Sequence, residues 1–296
     1  MRRLLLCSGL LVACSNGEVS DVADATDSGE ADATPSDTAL GTDADTGSDG
    51  VTDTATDTAT DTAPVDAPID RSKCVADPDK LGQTTRSATY KGGKISYLAF
   101  APPGYDPKSP LSLVVALHGA GDTSANYFAA IWQGTATSKR FLVITPEGSS
   151  PAGAGFTWNS GDANLILAAI EDFELCYSVD THRRIVDGFS AGGIMAYLLG
   201  LASAETFAGV SIASANEGSA EALFGGSLLP ATWKIPVSHF HGVDDLNFTI
   251  ASARAGRDKL LAAGHTVHWH EFTGGHSTKA ADAAQRYDDL ASSKAP

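Results

Sequence analysis

Between residues 16 and 70 the chain has no lysine, no arginine and no aromatic side chain, and nowhere in its 296 residues does an apolar run approach bilayer length. A helix needs roughly 20 consecutive apolar residues to span a membrane, so a transmembrane helix is not expected. Fifteen acids between Glu18 and Asp70 account for most of the formal charge of -16. Residues 71 to 296 carry 18 basic and 21 acidic side chains, a net of -3. Without a basic patch, little affinity can come from neutralising phosphates, which argues against nucleic acid as a partner. A stretch without aromatic residues cannot bury enough apolar surface to offset its ordering entropy. Residues 71 to 296, about 226 in number, suffice for one sizeable core, and one folded domain is expected.

The N-terminal stretch reads as an address. Arg2 and Arg3 precede a mostly apolar run from Leu4 to Ala13, and Leu11-Val12-Ala13-Cys14 places a small residue before a cysteine. This resembles a bacterial lipoprotein signal, which implies cleavage after residue 13 and lipidation of Cys14; the alternative is an ordinary secretory signal. Residues 14 to 70 are Asp, Thr, Ala, Ser and Gly-rich, with a TDTA unit repeated three times from Thr52 to Ala63. They read as a disordered tether with an end-to-end distance of about 40 Å, lengthened by carboxylate repulsion. The repeat lacks the glycine turn and closing glutamate of a calcium loop. Cys74 and Cys176 are the pair left in the folded part; an exported compartment favours a disulfide over two independent thiols.

Short apolar runs alternate with helical spacing over the remainder. Ile95 to Ala101, Leu111 to Leu117, Phe141 to Thr145, Arg184 to Gly188, Phe207 to Ala213, Ile235 to Phe240 and Thr266 to Phe272 read as strands. Asp162 to Cys176, Ala191 to Ala202, Thr249 to Ala263 and Lys279 to Ala291 read as helices, the first with Asp162 as N-cap. Strands apolar on both faces imply a sheet covered on both sides, hence an α/β fold with a mostly parallel central sheet and helices on both faces. Chemistry in such sheets gathers at the carboxyl ends of the strands.

Three of those ends carry reactive residues. Gly188-Phe189-Ser190-Ala191-Gly192 joins a strand to a helix, the context a G-x-S-x-G turn requires to expose a strained serine. A serine hydroxyl needs a base, and the base needs an orienting carboxylate. Asp244 and Asp245 follow one strand, and His276 follows the next. The order Ser, Asp, His is that of the α/β hydrolases. Strand Leu111 to Leu117 ends in His118-Gly119-Ala120-Gly121, a turn exposing backbone N–H groups. Ala120 and Ala191 are the expected oxyanion donors.

Residues 90 to 280 resemble the secreted esterases of the polyhydroxybutyrate depolymerase and feruloyl esterase group, through APPGYDP at 101, LVVALHGAG at 113, TWN at 157, VDGFSAGG at 186, FHGVDD at 240 and GGH at 274. The resemblance implies a serine ester hydrolase with no metal and no cofactor, a catalytic domain over 71 to 296, and Asp245 rather than Asp244 as the acid, four residues after the histidine of its H-G pair. It also places Trp158 and Asn159 at the substrate pocket; read from the residues alone they are equally a buried tryptophan and a capping asparagine. Asp187 departs from the family, where a small or neutral residue is usual, and is either a buried paired acid or solvent-facing. The pairs His239/His241 and His268/His270 share a strand face, but no cysteine or acid cluster completes a zinc ligand set, and they are expected to be structural.

The function expected is carboxylic ester hydrolysis through an acyl-enzyme, on aryl or sugar esters of feruloyl or acetyl type or on short polyhydroxyalkanoate esters. The sequence contains no separate polymer-binding module, which favours small-molecule or oligomeric substrates. A peptidase or thioesterase of the same fold, or a surface lipoprotein that only binds ligand, are the alternatives. The expected location is exported, held to a membrane through the lipid anchor alone.

Overall fold

In a computed structural model the described residues are 71–74, 79–229 and 232–296. Residues 1–13, the tether 14–70 and Cys14 lie outside them. In chain order the elements are β1 (Gly82–Tyr90), β2 (Gly93–Ala101), β3 (Leu111–Leu117), α1 (Ser124–Tyr127), a π-helical turn (Phe128–Trp132), α2 (Gln133–Lys139), β4 (Leu142–Pro146), β5 (Ser150–Ala152), β6 (Gly155–Thr157), α3 (Asp162–Cys176), β7 (Val179–Phe189), α4 (Ala191–Ala202), β8 (Gly209–Ala213), α5 (Glu217–Phe224), β9 (Val237–Gly242), α6 (Ile250–Ala262), β10 (Val267–Phe272) and α7 (Ala280–Leu290).

Eight strands form one sheet in the order β1-β2-β4-β3-β7-β8-β9-β10. The pairs β1/β2 and β2/β4 are antiparallel and the rest parallel. From β3 the chain passes to β4 on one side, while from β7 it proceeds through β8, β9 and β10 on the other. The order therefore reverses between β3 and β7, and a crevice opens outside their carboxyl ends. Gly119–Gly121 follows one of these strands and Ser190 the other.

The two-sided apolar strands build two cores. In β3, Leu113, Val115 and Leu117 pack with Ile166, Leu167, Ile170 and Phe173 of α3 and with α4, whereas Val114 and Ala116 face Phe128, Trp132 and Phe141. Each of the valine, leucine, isoleucine and phenylalanine side chains, fully buried, contributes about 1.5–3 kcal/mol. Ten of the fifteen residues of α3 are buried, and among them 163, 166, 167, 170 and 173 follow the helical spacing of the face set against the sheet. Cys176, its last residue, is disulfide-bonded to Cys74.

One local reading is corrected. Asp162 is not the N-cap of α3; that position is Gly161, and Asp162 sits buried in the first turn, where its Oδ2 accepts from Ser149 N and Asn159 N. The carboxylate serves the preceding loop because its orientation into the protein gives it those two donors. The helix beginning at Ile250 is capped by Thr249, whose hydroxyl accepts from Ser252 N. Strand β1 gives no apolar signal because it is an edge strand of alternating exposure with glutamine, threonine and serine on its open side.

Candidate active site

Ser190 stands at the sharp turn between β7 and α4 with φ 54° and ψ -122°, a conformation an L-residue holds only under constraint. The constraint comes from its neighbours. A Cβ on Gly188 would lie 2.1 Å from Gly192 O, and one on Gly192 would lie 2.1 Å from Leu117 O and 2.5 Å from His118 O. Strand, helix and the end of β3 therefore close on one another only with glycine at both positions. Ser190 N donates to Ala213 O, and the serine hydroxyl makes no cap bond with its own helix.

The loops after β9 and β10 are laced together. Val243 N donates to Phe272 O and Asp244 N to Gly274 O, each at 3.0 Å. This lacing directs Asp244 to solvent and Asp245 inward, where it is 3 % exposed. His276 Nδ1 lies 2.8 Å from Asp245 Oδ2, and His276 Nε2 lies 2.8 Å from Ser190 Oγ. A carboxylate only accepts, so Nδ1 carries the proton and Nε2 is free to accept from the serine. Burial acts to raise the Asp245 pKa; the N–H groups of Phe248 and Asn247 together with His276 outweigh it and hold the carboxyl below its ordinary range. The His276 ring is flanked by Phe189 and Phe248, with ring centres at 5.0 and 5.8 Å. Its loop is anchored by Ser214 Oγ donating to Ser277 O and by Arg286 Nη1 donating to Thr278 Oγ1.

The turn after β3 is held from beneath. Gly119 O accepts from His118 Nδ1 at 2.8 Å and from Asp122 N at 3.2 Å, and Gly148 N donates to His118 Nε2. Because a trans peptide is planar, fixing the Gly119 carbonyl also fixes the opposed N–H of Ala120. Ala191 is the first residue of α4, and the first N–H groups of a helix are not used by the helix itself. Trp158 is 9 % exposed and donates from Nε1 to His118 O at 2.8 Å. It braces the same turn. Asn159 is exposed; its side chain binds Ser149 Oγ, Ser150 Oγ and Gly161 N.

Asp187 is fully buried. It accepts from Tyr127, Trp132, Ser211 and Arg286. His239 and His241 bond to one another at 3.1 Å, and His270 bonds Asp289. Among the described residues no group of three or more His, Cys, Asp or Glu side chains is arranged to hold a metal ion. The support given by Phe248, Ser214 and Arg286 was not visible in local spacing: Phe248 acts through the turn it shares with Asp245, Arg286 reaches back from α7, and Ser214 crosses over from the end of β8.

A serine on a strained strand-to-helix turn, beside a crevice where the order of a mostly parallel sheet reverses, decides the architecture. The chain has the α/β-hydrolase fold. Comparison with solved structures agrees: S-formylglutathione hydrolase from Staphylococcus aureus superimposes with a TM-score of 0.51 over 70% of this chain and 97% of that one, at 16% identity. The family model described as Phospholipase/Carboxylesterase matches residues 161–288 of this chain. Curated relatives include poly(3-hydroxyalkanoate) depolymerase C of Paucimonas lemoignei, 29% identical over 129 residues, 40% of this chain and 31% of that protein. Feruloyl esterase C of Emericella nidulans is 32% identical over 124 residues, 40% of this chain and 45% of that protein. The alignments thus span less than half the length of either relative.

Proposed function

We propose that this α/β hydrolase is an exported serine carboxylic ester hydrolase, acting through an acyl-enzyme on aryl or sugar esters of feruloyl or acetyl type, or on short polyhydroxyalkanoate esters. The observation that carries the reading is the unbroken line from Ser190 Oγ through His276 to Asp245 Oδ2, with 2.8 Å at each contact. His276 Nε2 takes the hydroxyl proton as Ser190 Oγ attacks the ester carbonyl carbon, and Asp245 stabilises the imidazolium that results. The oxyanion is received by the N–H groups of Ala120 and Ala191, which are oriented before substrate arrives. His276 then gives its proton to the departing alkoxide and accepts one from the water that hydrolyses the acyl-enzyme. Trp158 acts through the His118 carbonyl, bracing the turn that carries Ala120.

The substrate class is supported by the relatives named for feruloyl esterase and poly(3-hydroxyalkanoate) depolymerase activity, and export by the Cys74–Cys176 disulfide. Lipidation of Cys14 belongs to the same proposal, and metabolic labelling with a palmitate analogue, abolished by Cys14→Ala, tests it.

The deciding experiment for activity is hydrolysis of p-nitrophenyl acetate and butyrate by the purified protein beside Ser190→Ala. A fall of about 10⁶-fold in kcat is expected when such a nucleophile is removed. Equal turnover by both proteins would refute the assignment. A panel of feruloyl esters and hydroxybutyrate oligomers then separates the substrate classes.

A further inference from the structure

Three buried side chains outside the Ser190–His276–Asp245 line form a continuous hydrogen-bonded chain that ends on the Phe248 carbonyl, beside the acid. Tyr197 of α4 meets His239 of β9, with its hydroxyl 2.8 Å from Nδ1. His239 Nε2 lies 3.1 Å from His241 Nδ1. His241 Nε2 lies 2.7 Å from Phe248 O and 3.6 Å from Asp245 Oδ2, the oxygen that also faces His276 Nδ1. Tyr197, His239 and His241 are each 0–1 % exposed.

The direction of every proton follows from the last acceptor. A carbonyl oxygen has no proton to give, so the hydrogen between Phe248 O and His241 belongs to Nε2. In the neutral ring Nδ1 of His241 is then an acceptor, and the hydrogen between the two imidazoles belongs to His239 Nε2. His239 Nδ1 is an acceptor in turn, and Tyr197 donates. Each polar atom of the chain is satisfied with both imidazoles uncharged. Burial favours the same state for His239, pushing its pKa well below its ordinary value, with the Arg286 charge acting in the same direction.

We propose that Tyr197, His239 and His241 are positioning residues that hold the Asp245 turn, and through it His276, in register with Ser190. The inference rests on the esterase reading for its catalytic consequence, but the hydrogen-bond chain stands on geometry. Beside the lacing of Val243 and Asp244 to the loop after β10, the turn has two further bonds. Phe248 N donates to Asp245 Oδ1 at 2.9 Å, while the carbonyl of the same Phe248 is gripped by His241. Without the grip, the turn can rotate without breaking its own N–H bonds to Asp245, and the carboxylate leaves the line to His276. The arrangement accounts for a histidine pair that shares a strand face yet presents no open ligand set.

The test uses the full chain and two readouts. The first is the nitrogen NMR spectrum of 15N-histidine-labelled protein at pH 7, in which His239 and His241 are expected as neutral rings protonated on Nε2. The second is the rate at which a fluorophosphonate modifies Ser190, which reads nucleophile activation whatever the natural ester is. His241→Leu, checked as folded by near-ultraviolet circular dichroism, is expected to lower that rate about 10- to 100-fold, as small misplacements of a catalytic group do. His241→Gln places an amide N–H near the position of Nε2 and is expected to restore most of it. The pH giving half the plateau rate in His241→Leu moves down, because imidazolium without its carboxylate is less stable; losing only the dipole of an N–H near Asp245 would move it up. Should His241→Leu not fold, Tyr197→Phe deletes one oxygen, and the expected results are a rate about threefold lower and a His239 population protonated on Nδ1. A wild type that is not labelled sinks the esterase reading, and the positioning role with it. A labelled wild type with unchanged rates in the folded variants, or His241 protonated on Nδ1, sinks the positioning role alone.

Discussion

Asp187 Oδ1 and Arg286 Nη2 lie 3.2 Å apart with neither side chain exposed, joining the strand that ends at Ser190 to helix α7. The ion pair is embedded in donors: Tyr127 and Trp132 reach Asp187 Oδ2 at 2.8 and 2.9 Å, and Ser211 reaches Oδ1 at 2.5 Å. The same guanidinium extends Nη1 to Thr278, two residues beyond His276. A buried charge whose partner is removed costs about 3–5 kcal/mol. Arg286→Met is therefore expected to lower the unfolding free energy by that amount in urea titration. A loss below about 1 kcal/mol would show that the pair is not holding these elements.

Helix α4 and the turn after β3 meet at Gly192, and substitution there should act on both stability and rate. The added methyl group of Gly192→Ala would sit 2.1 Å from Leu117 O, so backbone must move. The expected result is reduced thermal stability together with a fall in kcat larger than the change in KM. Trp158→Phe keeps the ring but removes the donor to His118 O, and a drop of about tenfold in kcat at unchanged KM is expected if that turn presents the oxyanion donor. A rise in KM alone would instead place Trp158 at the substrate.

Acid stability has a definable component in α5 and α6. Burial acts to raise the Glu221 pKa, but Lys259, with further hydrogen bonds, brings it down to about 2 from its ordinary 4.5. The folded-state pKa is depressed, so the pair's contribution is complete above pH 4.5 and fades as pH falls towards about 2. Lys259 is partly exposed, which limits the contribution to under ~1 kcal/mol. Wild type and Lys259→Met should differ in chemical denaturation at pH 7 and converge near pH 2; a constant difference would contradict the assignment.

The disulfide closes a loop of 102 residues between Cys74 and Cys176. Loop-closure entropy for such a length corresponds to about 4–5 kcal/mol of unfolded-state destabilisation. Cys74→Ser/Cys176→Ser is expected to lose stability of that order while keeping the proposed p-nitrophenyl ester turnover at 25 °C. Cys176 lies just before the amino end of β7, and Ser190 follows its carboxyl end. Loss of turnover in a folded variant would overturn this separation.

Much of the architecture was legible in local pattern. Strands apolar on both faces implied a covered sheet, and β3, β4 and β8 are buried at nearly every position. Residues 124–139 gave no such signal. They form two short helices around a π-helical turn whose Phe128 and Trp132 fill the second core, a packing that local helical spacing does not encode. Edge strand β1 was silent because its side chains alternate between solvent and a partly covered face.

The sequence by itself determined the strand-to-helix turns and the order of the reactive residues, because glycine placement and apolar periodicity act over a few neighbouring positions. Only the tertiary structure decided which of two adjacent acids faces His276, and that Asp187 is buried against Arg286. It also decided that His239 and His241 bond each other in a chain from Tyr197 to Phe248. Those outcomes depend on where the loops after β9 and β10 are laced together and on which face α7 presents to the sheet. They are set by contacts between residues far apart in the chain, which no local spacing carries.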